Sequence, residues 1–340
     1  MNIRVPRLVA YRAVAAIPIM IVVAALLFGV LRLLPVDPAV VTLPPTATKA
    51  EIEKRRIEMG LDRPLPVQFG FWLEAAVSGD LGRSTQLKQP VTALIRVALP
   101  QTVELAVSAM ALATILGVGG ALLMFEARNR PVVEGALDVV SLGLLSLPEF
   151  LWGLIFILAF GVMLNWFPVT GRLSPSFGNP TFSGFLLIDS WLAGGLPMFL
   201  DAVKHMVMPV TALALAFSAA IMRVLRSSLM DVYQEDYIHQ TRLRGLGEAR
   251  ILWRHSLPNA FLPTLSLMGV QFGFLFGGTL LVEVIFGYPG IGFLMVNAVK
   301  NVDFPLIQGV SLVYCLAVIA ITVAVDALAI VFNPRLGASS

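Results

Sequence analysis

The segment 237–261, YIHQTRLRGLGEARILWRHSLPNAF, concentrates side chains that could contact a charged partner. It holds four arginines and two of the three histidines of a 340-residue chain that is 13% charged and 57% hydrophobic. The histidines, at 205, 239 and 255, lack the spacing of metal ligands, and the segment is too short for an enzyme domain with its own core. Because arginines fix the orientation of an interface, the chemistry that this segment indicates is recognition of another chain.

Glycines divide this segment into two predicted helices. Residues 231–244 are predicted to continue as one helix, which ends at Gly245 and Gly247 because glycine adopts backbone angles closed to other residues. Glu248 then opens a second short helix, where its charge suits the N-terminal dipole. This helix is predicted to stop at Leu257, because a following proline disfavours helical angles for its predecessor.

The two short helices would form a compact knob beside the membrane. Its apolar side would contain Leu243, Leu246, Ile251 and Leu252, and its charged side Arg242, Arg244, Arg250 and Arg254. Such a knob would fit a groove on a partner, where apolar residues anchor and arginines orient the contact. The alternative interpretation is a basic inner loop that only follows the usual distribution of positive charge in membrane proteins.

Acidic residues within apolar stretches are the second group that could do chemistry. Inserting a charged side chain into the membrane costs about 2.5–3.5 kcal/mol on insertion scales, so such residues usually face a polar cavity or a partner. Glu149, beside Pro148, and Glu283 are candidates for lining a solute path, and a structural pairing is the alternative for each. Asp326 is predicted to pair at the inner surface, near Arg335.

Other polar or soft side chains in the spans receive structural predictions. Glu104 is expected to complement the N-terminus of its own helix, and Lys204 and His205 are expected to reach the outer interface. The methionines at 198, 206, 208 and 222 are expected to pack rather than bind metal. The single cysteine, Cys315, excludes an intrachain disulfide and a cysteine-based metal site.

The elements that must position these residues are membrane spans. A mean hydropathy of +0.84 lies far from the globular norm, in which about 25% of residues are charged, so the chain is predicted to be an all-α integral membrane protein. Six windows reach the length of about 20 apolar residues that a helix needs to cross a bilayer. They cover, approximately, residues 13–34, 102–125, 137–165, 203–225, 261–285 and 305–332.

Arginines predict the orientation, since short cytoplasmic loops are rich in Lys and Arg. They precede the first span and follow the second, fourth and sixth, at Arg4, Arg7, Arg12, Arg128, Arg130, Arg223 to Arg254, and Arg335. Both termini are therefore predicted to be cytoplasmic. The charged stretch after the first span is predicted to lie outside, because long translocated loops escape this rule.

Three regions follow from this topology. Residues 1–34 form the N-terminal tail and first span, residues 35–99 an extracytoplasmic cap, and residues 100–335 a five-helix core with a cytoplasmic loop, 227–260. Within the outer regions, we expect a helical patch around residues 51–59, a turn at GDLGRS (79–84), a loop rich in Pro, Gly and Ser at 166–199 and a short helix within 287–303.

The spacing of Gly245, Leu257 and Pro258 resembles the EAA---G---------I-LP loop of ATP-binding-cassette importer permeases. The upstream EDYIHQTRLRG looks like the version found in the peptide and nickel permease family. Further similar stretches are GLDRPLPVQFGFWL, GDLGRS, SLPEFLWG, EVIFGYPGIG and NPRL, so the resemblance extends over nearly the whole chain. The departures are His239, Gln240 and Thr241 at the motif's glutamate and alanines, Leu243 at a usually small position, and His255 at its isoleucine.

The resemblance implies a type I importer fold with six transmembrane helices in a bacterial inner membrane. The residues to which it assigns contact with an ATPase subunit are Tyr237, His239, Thr241, Arg242, Arg244, Gly245, Leu246, Glu248, Arg250, Leu257 and Pro258. It also implies two ATP-binding subunits that carry ATP and Mg, a second permease subunit and an extracytoplasmic substrate-binding protein. The absence of a GxxxxGK[ST] phosphate loop in the sequence agrees with a separate ATPase.

The predicted function is therefore transport of short peptides, with this chain forming half of the path. No enzymatic activity, bound cofactor or nucleic-acid partner is predicted for the chain itself. The same machinery carrying nickel, glutathione or another small solute is an alternative cargo. A proton-coupled secondary transporter that uses Glu149 and Asp326 as a relay is an alternative mechanism.

Overall fold

The computed structural model describes residues 4–33, 35–44, 46–178 and 180–332. Within those ranges the elements are helical, apart from one antiparallel bridge between Arg83 and Pro90. The helices are α1 (Arg4–Leu33), α2 (Pro38–Val41), α3 (Lys49–Glu58), α4 (Leu65–Val77), α5 (Val91–Glu126), α6 (Pro131–Ser146), α7 (Glu149–Phe156), α8 (Leu186–Tyr233), α9 (Asp236–Leu243), α10 (Glu248–Ile251), α11 (Leu257–Ile285), α12 (Ile291–Lys300) and α13 (Phe304–Phe332). The all-α class is confirmed.

Five of the described helices are long and apolar enough to cross a membrane. Helix α6 and the stretch Glu149–Met163, in which a π turn continues α7, make a sixth if this bent pair counts as one span. The two members of the pair meet at an angle of 97°. The predicted third span, 137–165, is therefore not a straight helix. Proline explains the break, because Leu147 before Pro148 has φ −107° and ψ 129°, the extended conformation that a following proline favours.

The core lies between α5 and α8, the most extensively packed helix pair. The buried residues Ala106, Ala109 and Ala113 recur at helical spacing on α5, and such small side chains let two helices approach closely. Beside them, Phe276 of α11 and Tyr288 complete one apolar cluster with the buried methionines Met206 and Met208. The prediction that these methionines pack is confirmed.

The helices at all six predicted spans begin before their hydropathy windows, and the differences are largest for α8 and α5. Helix α8 begins at Leu186, so the end of the predicted loop 166–199 is helical, and the helix bends at Gly195 (φ 59°, ψ −150°). Helix α5 begins at Val91, within the predicted cap, and contains Pro100. Both differences arise because polar or proline-containing helical turns continue beyond the apolar window.

The predicted cap, residues 35–99, contains α2, α3, α4, the turn that precedes α5 and the start of α5. Helix α3 confirms the expected helical patch, and Thr48 and Glu51 form a reciprocal capping box at its start. The GDLGRS turn is anchored to the last span, because the buried Asp303 accepts a hydrogen bond of 2.5 Å from Ser84. The predicted short helix within 287–303 is α12.

Candidate functional site

The segment predicted to dock on another chain connects the two long helices α8 and α11; residues 234–258 are called the docking segment after that prediction. The predicted single helix 231–244 is divided, because α8 ends at Tyr233 and α9 begins at Asp236. The predicted glycine bend is present. Gly245 has φ 78°, a left-handed conformation in which a side chain would be strained, and it ends α9.

The second half of the docking segment differs from the prediction. The helix that begins at Glu248 does not stop at Leu257; it passes through a wide π turn, Leu252–Ser256, directly into α11. Pro258 lies just after this π turn, as the second residue of α11. A movement of this half of the segment would therefore be passed directly to α11, because the two form one continuous helix.

Two sets of contacts fix α9 against its neighbours. Its residue Ile238 is fully buried. The Tyr237 hydroxyl donates to the carbonyl oxygen of His255 (3.3 Å) and accepts from the amide of Asn259 (3.0 Å), which also donates to that carbonyl (2.8 Å). These bonds join α9 to the start of α11.

The second set joins the ends of α8, α9 and α10. Arg242 donates through Nε to Glu248 at 2.7 Å, and the Tyr233 hydroxyl donates to the same carboxylate. The guanidinium of Arg242 also lies 4.6 Å from the centre of the Tyr233 ring, a cation–π distance. The hydrogen bond to Glu248 raises the pKa of Arg242. Arg242 and Glu248 thus hold the segment together from within.

The exposed surface of the docking segment is only partly the one predicted. Leu243 is 76% exposed, as a docking anchor requires, whereas Ile251 and Leu252 are buried within the chain and belong to its core. His239, Arg244 and Arg250 are exposed, Thr241 donates within its own helix to Tyr237, and Leu246 and Leu257 are half-buried. The sequence interpretation missed Trp253, an exposed indole next to this surface.

The structure places Glu149 at the break between α6 and α7. It is the first residue of α7, half-buried, and no described residue forms an ion pair with it. Its carboxylate lies against Gly278, where a Cβ atom would come within 2.6 Å of Oε1. The carboxylate therefore sits beside α11 at a bend, and a part in a solute path stays a prediction.

The position of Glu283 just before the GYPGIG turn predicts a place near the surface, but the residue lies inside the protein. It is fully buried and accepts hydrogen bonds from the Thr102 hydroxyl (2.6 Å) and the Phe293 amide (3.1 Å). Gly290 is required here, because a Cβ atom on it would lie 2.5 Å from the Glu283 carboxylate. Glu283 thus joins α5, α11 and α12, which is the structural pairing given as its alternative.

Glu104 does not act on its own helix. It lies well inside α5 and accepts hydrogen bonds from the backbone amides of Leu186 (3.0 Å) and Leu187 (2.7 Å), so it caps the start of α8. It also pairs with Arg172 at 2.8 Å, and the two side chains are 5% and 11% exposed. The sequence interpretation missed Arg172, because its loop gives no local signal of a buried partner.

The remaining expectations concern the start of the fourth span. Lys204 is exposed, whereas His205 is buried and its Nδ1 lies 2.9 Å from the carbonyl oxygen of Asp201, so His205 does not reach an outer interface. The predicted pairing of Asp326 near Arg335 lies outside the described residues.

The comparison with known families decides what kind of protein carries this segment. Residues 123–338 match the family described as binding-protein-dependent transport system inner membrane component, and residues 5–106 match the N-terminal family of the same systems. The chain belongs to this family. It is thus a permease subunit of a binding-protein-dependent importer and an integral protein of a bacterial inner membrane with several apolar spans.

Two relatives illustrate the similarity of this permease to characterised systems. It is 35% identical over 329 residues to the di/tripeptide transport system permease protein DppB of Pseudomonas aeruginosa, covering 96% of this chain and 98% of the relative. It is 35% identical over 325 residues to the glutathione transport system permease protein GsiC of Pectobacterium atrosepticum, covering 96% and 97%. An amino acid ABC transporter solved with histidines matches 72% of this chain and 94% of its own, with 16% identity and a TM-score of 0.47.

Proposed function

We propose that this permease forms half of a translocation path for short peptides and is driven by separate ATP-binding subunits that dock on the docking segment. The observation that carries the proposal is that α9 is held at both ends and still exposes a leucine. Contacts at both of its ends fix it to α8 and α11, yet its residue Leu243 is 76% exposed. An exposed leucine on a rigidly held helix suits a hydrophobic groove of another chain.

The other parts of the proposed complex follow from topology. In the proposed topology, which has six spans and both termini in the cytoplasm, the docking segment lies inside and the residues between α1 and α5 lie outside, where a substrate-binding protein would bind. A second, similar permease would supply the other half of the path, because transporter sites lie between related halves. ATP and Mg would be bound by the ATPase subunits.

The docking segment is tested by adding a charge at its exposed leucine. Leu243→Asp should abolish co-purification of the ATPase subunits with the tagged permease in mild detergent, because a carboxylate would have to be buried in the apolar groove. Ile57→Asp is the matched control, since Ile57 is also exposed but lies on α3, in the proposed outer cap. Equal recovery of ATPase with both variants would contradict the proposal.

Glutathione is the second candidate cargo, because the glutathione and di/tripeptide permease relatives match equally well at 35% identity. The complex should be reconstituted with its binding protein and supplied with labelled dialanine or labelled glutathione. If the cargo is short peptides, uptake of dialanine should depend on ATP and should not be inhibited by excess glutathione. A proton-driven transporter would instead take up solute without ATPase subunits when a proton gradient is applied.

A further inference from the structure

We propose that Arg128 is a positioning residue that fastens the docking segment to α5. This inference rests on the proposed docking function. Arg128 follows the end of α5 in a short 3₁₀ turn, and its side chain reaches the last residue of α8. Its guanidinium lies 5.2 Å from the centre of the Tyr233 ring and 4.2 Å from that of Phe125.

The geometry around Tyr233 makes this ring a junction between helices. Phe125 contacts it edge-on, with ring centres 4.8 Å apart. Arg242 of α9 lies 4.6 Å from the same ring, and the Tyr233 hydroxyl donates to Glu248 of α10. One aromatic side chain therefore contacts groups from α5, α9 and α10.

Arg128 itself is held in place on the α5 side of this junction. It donates a hydrogen bond of 2.8 Å to the carbonyl oxygen of Phe125, in the last turn of α5. Phe125 is buried in the apolar cluster that also contains Leu225, Leu229 and Leu252. The cation is thus anchored to a rigid helix end and presents its face to Tyr233.

The consequence concerns which spans move with the docking segment. The segment is covalently continuous with α8 and α11 but has no chain connection to α5. The Tyr233 junction supplies a connection, so a displacement of α9 is passed to α5 as well. Since α5 and α8 form the main packed pair of the core, both would then move as one unit.

Arg128→Gln tests the junction, and Arg130→Gln is its matched control. Arg130 lies two residues further along, is exposed, and carries the same charge, and no described residue contacts its side chain by a hydrogen bond or ion pair. Hydrogen–deuterium exchange of residues 234–247 in the purified permease should accelerate about two- to fivefold in Arg128→Gln, because the free energy of one cation–π contact is lost. In Arg130→Gln the exchange should stay at the parental rate.

The functional arm measures dialanine uptake per ATP hydrolysed in the complete reconstituted complex. We expect Arg128→Gln to keep ATPase binding and ATP hydrolysis but to lower uptake per ATP at least about twofold, consistent with the weakened contact. If Arg128→Gln does not assemble, Arg128→Lys, which keeps the cation but loses the planar group, should give the same effects more weakly.

The two arms separate the inference from the function on which it rests. Exchange rates or uptake per ATP that are equal in the glutamine variants at 128 and 130 would overturn the positioning role while ATPase binding stands. A parental permease that binds no ATPase would overturn the docking function, and the coupling claim with it.

Discussion

At the scale of single residues, Gly245 and Gly247 look alike in the sequence but differ in the structure. Gly245 has φ 78°, whereas Gly247 has φ −69° and ψ 148°, an extended conformation open to any residue. No atom lies within 4 Å of a Cβ added at either position, so backbone strain alone distinguishes the two. Only Gly245 is required for the bend of the docking segment.

Gly245→Ser should therefore destabilise this bend by about 1–2 kcal/mol, the cost of a left-handed conformation for a residue with a side chain. We expect lower uptake per ATP hydrolysed, with normal membrane insertion. Gly247→Ser should have little effect, because serine is a favoured residue at the start of a helix. Uptake per ATP in the reconstituted complex is the measurement, and equal values for both variants would rule out a role for the bend.

At the scale of elements, buried carboxylates join helices through hydrogen bonds where no loop connects them directly. Glu104 joins α5 to the start of α8 and to the loop of Arg172, and Glu283 joins α11 to α5 and α12. Tyr288 lies beside the first of these carboxylates, at 3.5 Å, and burial raises the pKa of its hydroxyl. Helices that are distant in the chain are thereby held in one register.

Glu104→Gln should lower the free energy of unfolding by about 3–5 kcal/mol, because it leaves Arg172 as a buried charge without its counterion. Glu126→Gln is the control, since Glu126 is on the same helix and exposed. Thermal unfolding in detergent, followed by tryptophan fluorescence, measures the difference. A midpoint of Glu104→Gln that matches that of Glu126→Gln would show that the pair contributes no stability.

At the scale of the whole molecule, much of the apolar surface of the spans is not covered by the chain itself. Leu26, Ile115 and Phe274 are each more than half exposed and lie on different spans. Surfaces of this kind require lipid or another subunit. The orientation of the spans then decides which ends face the ATPase subunits and which face the binding protein.

This orientation predicts opposite labelling of two cysteines. In a Cys315→Ser background, Ile57→Cys should react with a membrane-impermeant maleimide in cells with a permeabilised outer membrane. Gln240→Cys should react only after the inner membrane is opened, because α9 lies in the cytoplasm in the proposed topology. Both positions are exposed in the chain, so burial would not explain a difference. Labelling of Gln240→Cys from outside would exclude docking to a cytoplasmic ATPase.

The sequence by itself determined the features that depend on local chemistry. Long apolar runs predict membrane spans wherever they occur, a glycine pair predicts a bend, and the helical pattern around residues 51–59 predicts α3. These properties need only neighbours in the chain, so the class, the positions of most spans and the bend at Gly245 could be found in advance. The family match agreed with the motifs around Gly245 and Pro258.

Only the tertiary structure decided how distant residues meet. The same local rule fails in opposite directions at two prolines: the predicted span 137–165 is bent by 97° at Pro148, whereas the helix predicted to stop before Pro258 continues through it. The burial of Glu283, the pairing of Glu104 with Arg172 and the contact of Arg128 with Tyr233 likewise have no signal in sequence spacing. The physical reason is that a charge or a helix end is satisfied by whichever group packing brings within hydrogen-bonding distance, and packing joins residues that are far apart in the chain.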